Sequence, residues 1–264
     1  MATLVTFHAH PDDESIATGG VMAKAADEGH RVVLVVATRG EHGEVQDGFL
    51  DPGEELWRRR VQETHACAEI LGVARVEFLG YVDSGMIDTP ENDHPDSFWQ
   101  ADVDEAAGRL AAILTDEKAD VLTVYDENGG YGHPDHIQVH RVGVRAADLA
   151  GTPRVYMNTI NRDYVRRSME AAAAAGVETP EEINPDELGD LGAPEDRITT
   201  TVDVRPWLAR KRAAMVAHAS QIAETSFFLT MDPTLFEGWF GQEWFIRCDA
   251  RPGLVETDLF DGIA

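Results

Sequence analysis

The chain has 264 residues, 43% of them hydrophobic, which is enough for one large α/β domain with a buried core. Its formal net charge of −26 at pH 7 repels phosphate backbones and anionic lipids, so we expect neither a nucleic-acid nor a membrane partner. Two cysteines are too few for a disulfide framework, and no basic segment followed by a long apolar one opens the sequence, so we expect no signal peptide and a cytoplasmic location.

Apolar runs alternate with helical patterns over the first 160 residues. Residues 31–38 form a continuous, mostly β-branched run, as expected for a strand that is buried on both faces. The predicted strands of this region are residues 4–7, 31–38, 75–79 and 120–125. The predicted helices between them are residues 16–28, 54–71 and 103–116. This alternation predicts an α/β fold, Rossmann-like and doubly wound, with a mostly parallel sheet and helices on both faces.

The second part of the chain is less regular. Its predicted elements are strands at 154–160 and 199–204 and helices at 163–175 and 206–219. The acidic segment 177–196 is predicted to be an exposed loop or lid. The aromatic-rich segment 236–248 is predicted to be a terminal strand or hairpin, lying either in the core or in an interface of a homo-oligomer. Because the sequence contains neither a repeat nor a linker, we expect residues 1–264 to form a single domain.

Two groups of histidines and carboxylates each follow a predicted strand. They are His10, Asp12 and Asp13 after the first strand, and His133, Asp135 and His136 after the fourth. In a doubly wound sheet these two strands are neighbours, and ligands bind at their carboxyl ends, where the strand order reverses. The topology therefore predicts that two turns about 120 residues apart meet in one crevice.

Crowded carboxylates repel one another, and a bound cation relieves that repulsion. His10, Asp13 and His136 offer two imidazoles and one carboxylate, a ligand set that suits Zn²⁺, with Fe²⁺ as the alternative. Three protein ligands leave a position for water, whose pKa a zinc ion lowers from about 15.7 to about 7. We therefore predict a catalytic rather than a structural metal site.

Hydrolysis also needs a base, and Asp12 lies beside the ligand pair without being required as a ligand. The alternative for Asp12 is an N-cap of the following helix. His133, three residues before His136, is predicted either to stabilise an oxyanion in its protonated form or to hydrogen-bond a ligand. Asp135 is predicted to accept a hydrogen bond from one of the histidines and so to fix its tautomer.

Three further polar residues receive no catalytic role from the sequence. Glu14 is expected to form a salt bridge or a cap. His8 has the same strand phase as His10 and is expected to be packed behind the site. His218 is either close to the site or a hydrogen-bonded helix histidine.

The two motifs together resemble a known family. The motifs are His10-Pro11-Asp12-Asp13-Glu14 and Gly130-Tyr131-Gly132-His133-Pro134-Asp135-His136, and the family is that of the LmbE-like, or PIG-L, zinc-dependent N-deacetylases. The resemblance extends to Asp83-Ser84-Gly85-Met86 and to residues 93–102 and 211–221, so it covers most of the chain. It is closest to the actinobacterial branch, which includes a mycothiol-pathway deacetylase and mycothiol conjugate amidase.

This resemblance implies a hydrolase that removes an N-acyl group from a small amino sugar or from a sugar–thiol conjugate. The roles that it implies are zinc ligands (His10, Asp13 and His136), a general base (Asp12) and an oxyanion or acid partner (His133). It also implies that Tyr131 polarises the amide carbonyl and that Arg60 and Asp83 contact a hydroxyl or phosphate-like group of the substrate. Plain packing is the alternative for Tyr131, and a solvated helix face is the alternative for Arg60.

Two other interpretations compete with the deacetylase. The pattern His8-x-His10-x-Asp12 superficially fits a two-metal hydrolase of the metallo-β-lactamase type, although Asp13 stands where that motif has histidine. That fold also begins with antiparallel strands. The other interpretation is a metal-binding protein without turnover, which the open ligand position and the additional carboxylate of Asp12 disfavour.

Overall fold

The computed structural model describes residues 1–174 and 191–263. One seven-stranded sheet has the strand order β3-β2-β1-β4-β5-β7-β6. Its strands are β1 (Thr3–His8), β2 (Arg31–Thr38), β3 (Arg75–Tyr81), β4 (Val121–Tyr125), β5 (Arg154–Thr159), β6 (Thr200–Asp203) and β7 (Gln242–Arg247). The first five strands pair in parallel, and β7 is antiparallel to β5 and β6. The predicted Rossmann-like, mostly parallel architecture is confirmed.

Helices cover both faces of this sheet. They are α1 (Asp13–Ala17), α2 (Gly19–Asp27), α3 (Leu56–Leu71), α4 (Val103–Glu117), α5 (Pro134–Ala150), α6 (Arg162–Ala174), α7 (Leu208–Ala217), α8 (Phe227–Thr230) and α9 (Pro233–Phe240). Alternate strand residues face opposite ways, so Val5 and Val33 pack with α4 and α5, whereas Leu4 and Val32 pack with α2, α3 and α7. Among the described helices, none has both the length and the apolar character needed to cross a bilayer.

The pairing of β1 with β4 brings the two site turns together. The strands run parallel, with Leu4 beside Val121 and Thr6 beside Thr123. On one side of this pair the order continues to β2 and β3, and on the other side it continues to β5. The strand order therefore reverses between β1 and β4, and the turns that follow both strands open into the same crevice.

Two predicted elements have different forms in the structure. The helix expected at 16–28 is divided at Thr18 into α1 and α2. The expected strand or hairpin at 236–248 is wrong over its first half, which belongs to α9. Pro233 stands in the first turn of α9, and the Asp232 side chain accepts hydrogen bonds from two backbone N–H groups there, so this helix has a strong start signal. The predicted acidic loop falls largely on residues 177–190, which lie outside the described residues.

Helix α5, which carries the second site turn, packs closely on the sheet at Gly143. A Cβ atom at this position would lie well within the van der Waals contact distance of Val124 Cγ1 on β4 and 3.5 Å from a ring carbon of Phe7 on β1. Gly143 therefore sets how near α5 approaches the two central strands.

We expect Gly143→Ala to destabilise the protein by about 1–3 kcal/mol, because the added methyl group overpacks the contact between α5 and the sheet. The matched control is Gly108→Ala on α4, where an added Cβ meets no atom of the described chain within 4 Å. That control should be stabilising by about 0.5–1 kcal/mol, because alanine has the higher helix propensity. Urea unfolding of both variants measures the difference, and equal effects of the two substitutions would contradict the close-packing argument.

Candidate active site

The first site turn lies between β1 and α1. Asp13 is the first residue of α1, and its Oδ2 accepts a hydrogen bond of 2.9 Å from the backbone N–H of His10. This bond closes the turn and places the side chains of His10 and Asp13 on the same side. His10 Nδ1 lies 3.4 Å from the same carboxylate oxygen.

The second site turn lies between β4 and α5. His133 is the N-cap of α5, and its Nδ1 accepts a hydrogen bond of 3.1 Å from the backbone N–H of Asp135. His136 lies in the first turn of the helix, and its Nδ1 is 3.1 Å from the carbonyl oxygen of Gly129. Because a carbonyl oxygen only accepts hydrogen bonds, Nδ1 carries the imidazole proton and Nε2 carries the lone pair.

The structure brings the three predicted ligands together at one atom. Asp13 Oδ2 lies 3.4 Å from His10 Nδ1 and 3.4 Å from His136 Nε2. Among the described residues, buried His136 Nε2 has no hydrogen-bond partner. Lone pairs of a carboxylate and an imidazole that face one another repel unless a proton or a cation lies between them. This donor set fits a metal ion.

Asp135 holds the other nitrogen of His10. Its Oδ2 lies 3.0 Å from His10 Nε2 and accepts a hydrogen bond of 2.9 Å from the backbone N–H of Ser84, while Ser84 Oγ donates to Oδ1. The predicted hydrogen bond between Asp135 and a site histidine is confirmed. It leaves Nδ1 of His10 directed at Asp13, as metal coordination requires.

Asp83, like Asp135, lies near Nε2 of His10, and its Oδ1 is 3.5 Å from this nitrogen. It is buried and accepts hydrogen bonds from the backbone N–H groups of Gly85, at 2.9 Å, and His42, at 3.3 Å. Burial opposes ionisation of Asp83, but the charge of His10 and these donors hold its pKa below the usual range. Its contact with substrate stays a prediction.

Asp12 stands between the ligands and Arg60. Its Oδ2 is 3.4 Å from Arg60 Nη2, and its side chain is 19% exposed. Burial raises the pKa of Asp12 to about 6, although the charge of Arg60 partly offsets this effect. Asp12 occupies the N-cap position of α1, but its side chain makes no capping hydrogen bond within the described chain. A carboxylate with a pKa near neutrality suits a general base.

His133 packs against both ligand histidines, with its ring centroid 4.7 Å from that of His10 and 5.0 Å from that of His136. Burial lowers the pKa of His133 to about 4, and repulsion between protonated His133 and a protonated neighbouring imidazole acts in the same direction. Burial disfavours the protonated ring, and the role of His133 as an oxyanion or acid partner stays a prediction. Since its Nδ1 accepts a hydrogen bond, the neutral ring carries its proton on Nε2 and can still donate from that atom.

Tyr131 and Arg60 have contrasting environments. Tyr131 is 53% exposed, and its ring centroid lies 5.0 Å from that of His136, so it can reach a ligand in the crevice. Arg60 is only 3% exposed and donates to the carbonyl oxygens of Gly40, at 2.9 Å, and Pro11, at 2.5 Å. The alternative of a solvated helix face for Arg60 is wrong, and its contact with substrate stays a prediction.

The sequence did not point to Tyr125, which supports the second turn. Its ring stacks on His136 at 4.3 Å with an interplanar angle of 8°, and its hydroxyl lies 2.9 Å from His8 Nδ1. The other nitrogen of His8 is 2.8 Å from Thr18 Oγ1, so His8 is packed behind the site as expected. The sequence feature that could have identified Tyr125 as a site residue is its position at the carboxyl end of β4, where ligands bind in this fold.

A cavity of about 530 Å³ adjoins the ligands. Asp13, His136 and Tyr131 border one end, and Trp239 and Phe240 contribute to its largely apolar wall. This volume is within the range of small-molecule sites.

The fold and the site define a doubly wound α/β protein whose His–Asp–His set could hold a metal ion beside the carboxylate of Asp12. The model of the family GlcNAc-PI de-N-acetylase (PIG-L) matches residues 5–147. The chain belongs to this family, and the prediction of a deacetylase that hydrolyses an amide C–N bond is confirmed. The metallo-β-lactamase fold of the two-metal alternative is wrong, because the first five strands are all parallel to their neighbours.

Relatives match the chain over nearly its full length. The 1D-myo-inositol 2-acetamido-2-deoxy-alpha-D-glucopyranoside deacetylase of Acidothermus cellulolyticus is 42% identical, covering 99% of this chain and 95% of that protein. The protein with the same name from Geodermatophilus obscurus is 40% identical, with 98% and 97% covered. The solved structure of N,N'-diacetylchitobiose deacetylase from Pyrococcus horikoshii has a TM-score of 0.59 at 21% identity, covering 99% of this chain and 86% of that chain.

The hydrogen bond between Gly129 and His136 generates a testable expectation. Gly129 has φ +64°, and a Cβ atom there would lie 2.6 Å from the Cβ of His136. We expect Gly129→Ala to displace the His136 ring and to lower kcat by about 10- to 100-fold, because small misplacements of a reacting centre have large effects on rate. Steady-state kinetics of the purified variant measures the change.

The matched control is Gly130→Ala. Gly130 has φ +79°, but a Cβ atom there would meet nothing within 4 Å in the described chain. Both variants incur the same left-handed backbone strain, of about 1–2 kcal/mol, and only Gly129→Ala adds the clash with His136. Equal losses of kcat in the two variants would show that the clash is irrelevant.

Proposed function

We propose that this protein is a zinc-dependent N-deacetylase that removes the acetyl group from an amino sugar joined to inositol. The observation that carries the proposal is the convergence of His10 Nδ1 and His136 Nε2 on one oxygen of Asp13, each at 3.4 Å. The substrate class comes from the two relatives, since their names specify an acetamido sugar joined to inositol.

Zinc is the metal that this donor set favours, with iron(II) as the alternative. Each imidazole has one nitrogen held by an acceptor, Asp135 for His10 and the carbonyl of Gly129 for His136. A zinc ion bound here supplies an acidified water molecule and a Lewis acid for the substrate carbonyl. The remaining chemistry belongs to residues around it.

Asp12 acts as the general base in this proposal. Its partly exposed carboxylate accepts a proton from the attacking water molecule and later returns a proton to the departing amine. Arg60, 3.4 Å away, keeps the carboxylate in place. A base with a pKa of about 6 is ionised at neutral pH and can still release the proton to an amine.

His133 stabilises the oxyanion through a neutral imidazole. Its Nδ1 is bonded to the backbone N–H of Asp135, so Nε2–H is the donor available to the substrate. Tyr131, which is 53% exposed, provides a second donor to the amide carbonyl from the solvent side. Asp83 is proposed as a contact for a sugar hydroxyl, because it lies beside His10 at the crevice.

Two substitutions separate the base from the ligands. Asp12→Asn should retain the metal but lower kcat by about 10²- to 10⁴-fold, because it removes the proton acceptor. His136→Ala should lose both metal and turnover. Metal content by mass spectrometry and the rate of amine release measure the two effects.

The control for Asp12→Asn is Asp104→Asn, the same chemical change in an exposed ion pair with Arg145 on α4 and α5. It should leave both metal content and kcat unchanged. Wild-type turnover in Asp12→Asn would contradict the assignment of Asp12 as the base. Full metal content in His136→Ala would contradict the proposed ligand set.

The substrate is tested with the zinc-loaded enzyme and a panel of N-acetylated amino sugars and bulky sugar–thiol conjugates. We expect kcat/KM for the acetamido sugar joined to inositol to exceed that for the thiol conjugates by at least about tenfold, a difference that a few contacts can supply. The opposite order would identify a conjugate amidase, which shares the chemistry but not the substrate.

A further inference from the structure

The backbone of Asp12 has an unusual conformation. Its φ is 114° and its ψ is −35°, outside the regions that residues with a Cβ atom ordinarily adopt. Such a conformation persists only where surrounding contacts impose it, and it is concentrated at functional sites. The contacts that impose it here identify residues that act on Asp12.

Glu14 makes the contact to the Asp12 amide itself. Its Oε2 accepts a hydrogen bond of 3.0 Å from the backbone N–H of Asp12. On either side of this amide, Arg60 donates to the carbonyl of Pro11, and Ser15 Oγ donates to the carbonyl of Asp12 at 2.7 Å. The peptide groups that flank Asp12 are therefore held by three side chains.

The carboxylate of Glu14 is completely buried, and its second partner is a residue 204 positions away. His218 follows the last residue of α7, and its Nε2 lies 2.7 Å from Glu14 Oε1, with both side chains 0% exposed. A buried carboxylate next to those of Asp12 and Asp13 is unfavourable unless its oxygens are hydrogen-bonded or paired with an opposite charge. His218 supplies a hydrogen-bond partner from outside the motif.

A second metal ion is the competing explanation, since ligand atoms of Glu14, Cys67 and His218 lie within 4.8 Å of one another. Two ligand atoms bound to one zinc ion at 2.0–2.2 Å in a tetrahedron are about 3.3 Å apart. The separation of 2.7 Å between His218 and Glu14 is that of a hydrogen bond, and the second Glu14 oxygen is already bonded to Asp12. The geometry favours a direct hydrogen bond over a shared metal ion.

We propose that Glu14 is a positioning residue, hydrogen-bonded to His218, that holds the Asp12 backbone in its strained conformation and so fixes the Asp12 carboxylate beside the site. This inference rests on the proposed role of Asp12 as the general base. Glu14 does not touch substrate, and it acts only through Asp12.

The test is the pair Glu14→Met and Glu14→Gln. Methionine has a similar volume but no acceptor for the Asp12 amide, so we expect kcat to fall about 10- to 100-fold while KM and the metal content stay unchanged. Glutamine keeps an amide oxygen that can accept this hydrogen bond, so it should restore most of kcat. Loss of metal in Glu14→Met, or an unchanged kcat, would overturn the proposal.

The matched control is Glu256→Met. Glu256 is a buried carboxylate whose side chain accepts hydrogen bonds from the hydroxyls of Tyr156 and Thr200, on β5 and β6. A merely structural role for Glu14 predicts the same kinetic effect in both methionine variants. The proposal predicts that only Glu14→Met lowers kcat.

If Glu14→Met does not fold, the double variant Glu14→Met/His218→Leu replaces both partners of this hydrogen bond by apolar side chains, a change that buried pairs often tolerate. It should fold and show the same loss of kcat. Wild-type kcat in this double variant would overturn the proposal. If the wild type holds two metal ions per chain and the double variant holds one, a second metal site is supported and the proposal is overturned.

An NMR measurement, which does not depend on turnover, tests the contact between Glu14 and Asp12 independently of the proposed function. The Asp12 amide proton, bonded to a carboxylate, should resonate downfield in the NMR spectrum of the wild type and move upfield in Glu14→Met. An unchanged Asp12 amide resonance overturns the positioning contact even if Asp12→Asn is inactive. Wild-type turnover in Asp12→Asn overturns the base assignment even if the resonance moves.

Discussion

The parallel pairing of β1 with β4 is the constraint on which the site depends. With Thr6 beside Thr123, both strands end at the same edge of the sheet. His10 and Asp135, 125 positions apart in sequence, are therefore 3.0 Å apart in space. Each turn alone supplies an incomplete ligand set, because the first contains one imidazole that faces Asp13 and the second contains the other. The sheet topology assembles the donor set, and the local turns orient it.

Each of the two imidazoles that face Asp13 is oriented by a hydrogen bond at its other ring nitrogen. Asp135 holds Nε2 of His10, and the carbonyl of Gly129 holds Nδ1 of His136. These acceptors fix opposite tautomers on the two rings, so that one ring presents Nδ1 and the other Nε2 to Asp13. The stacking of Tyr125 on His136 further restricts the second ring. A cation that enters this site meets donors whose rotamers are already fixed, which lowers the entropic cost of binding.

The fold and the two turns could be predicted from sequence because their signals are local. The apolar run at 31–38 coincides with β2 (Arg31–Thr38), and the strand–helix alternation dictates the parallel order. The segment 236–248 was harder, because its aromatic residues suit a helix face and a strand equally well. The burial of Arg60 and the pairing of Glu14 with His218 depend on tertiary contacts, such as those between α3, α7 and the first turn, which no local pattern contains.

The hydrogen bonds of the buried carboxylates explain why Asp13 is the one at which a cation would fit. Asp135 accepts three hydrogen bonds, and Glu14 pairs with His218 and with the amide of Asp12. Asp13 Oδ2 instead receives one backbone N–H, from His10, and otherwise faces the two imidazole nitrogens. Within the described chain, the neighbouring carboxylates are thus compensated by their own partners. The uncompensated lone pairs converge on Asp13, and a divalent ion satisfies all of them at once.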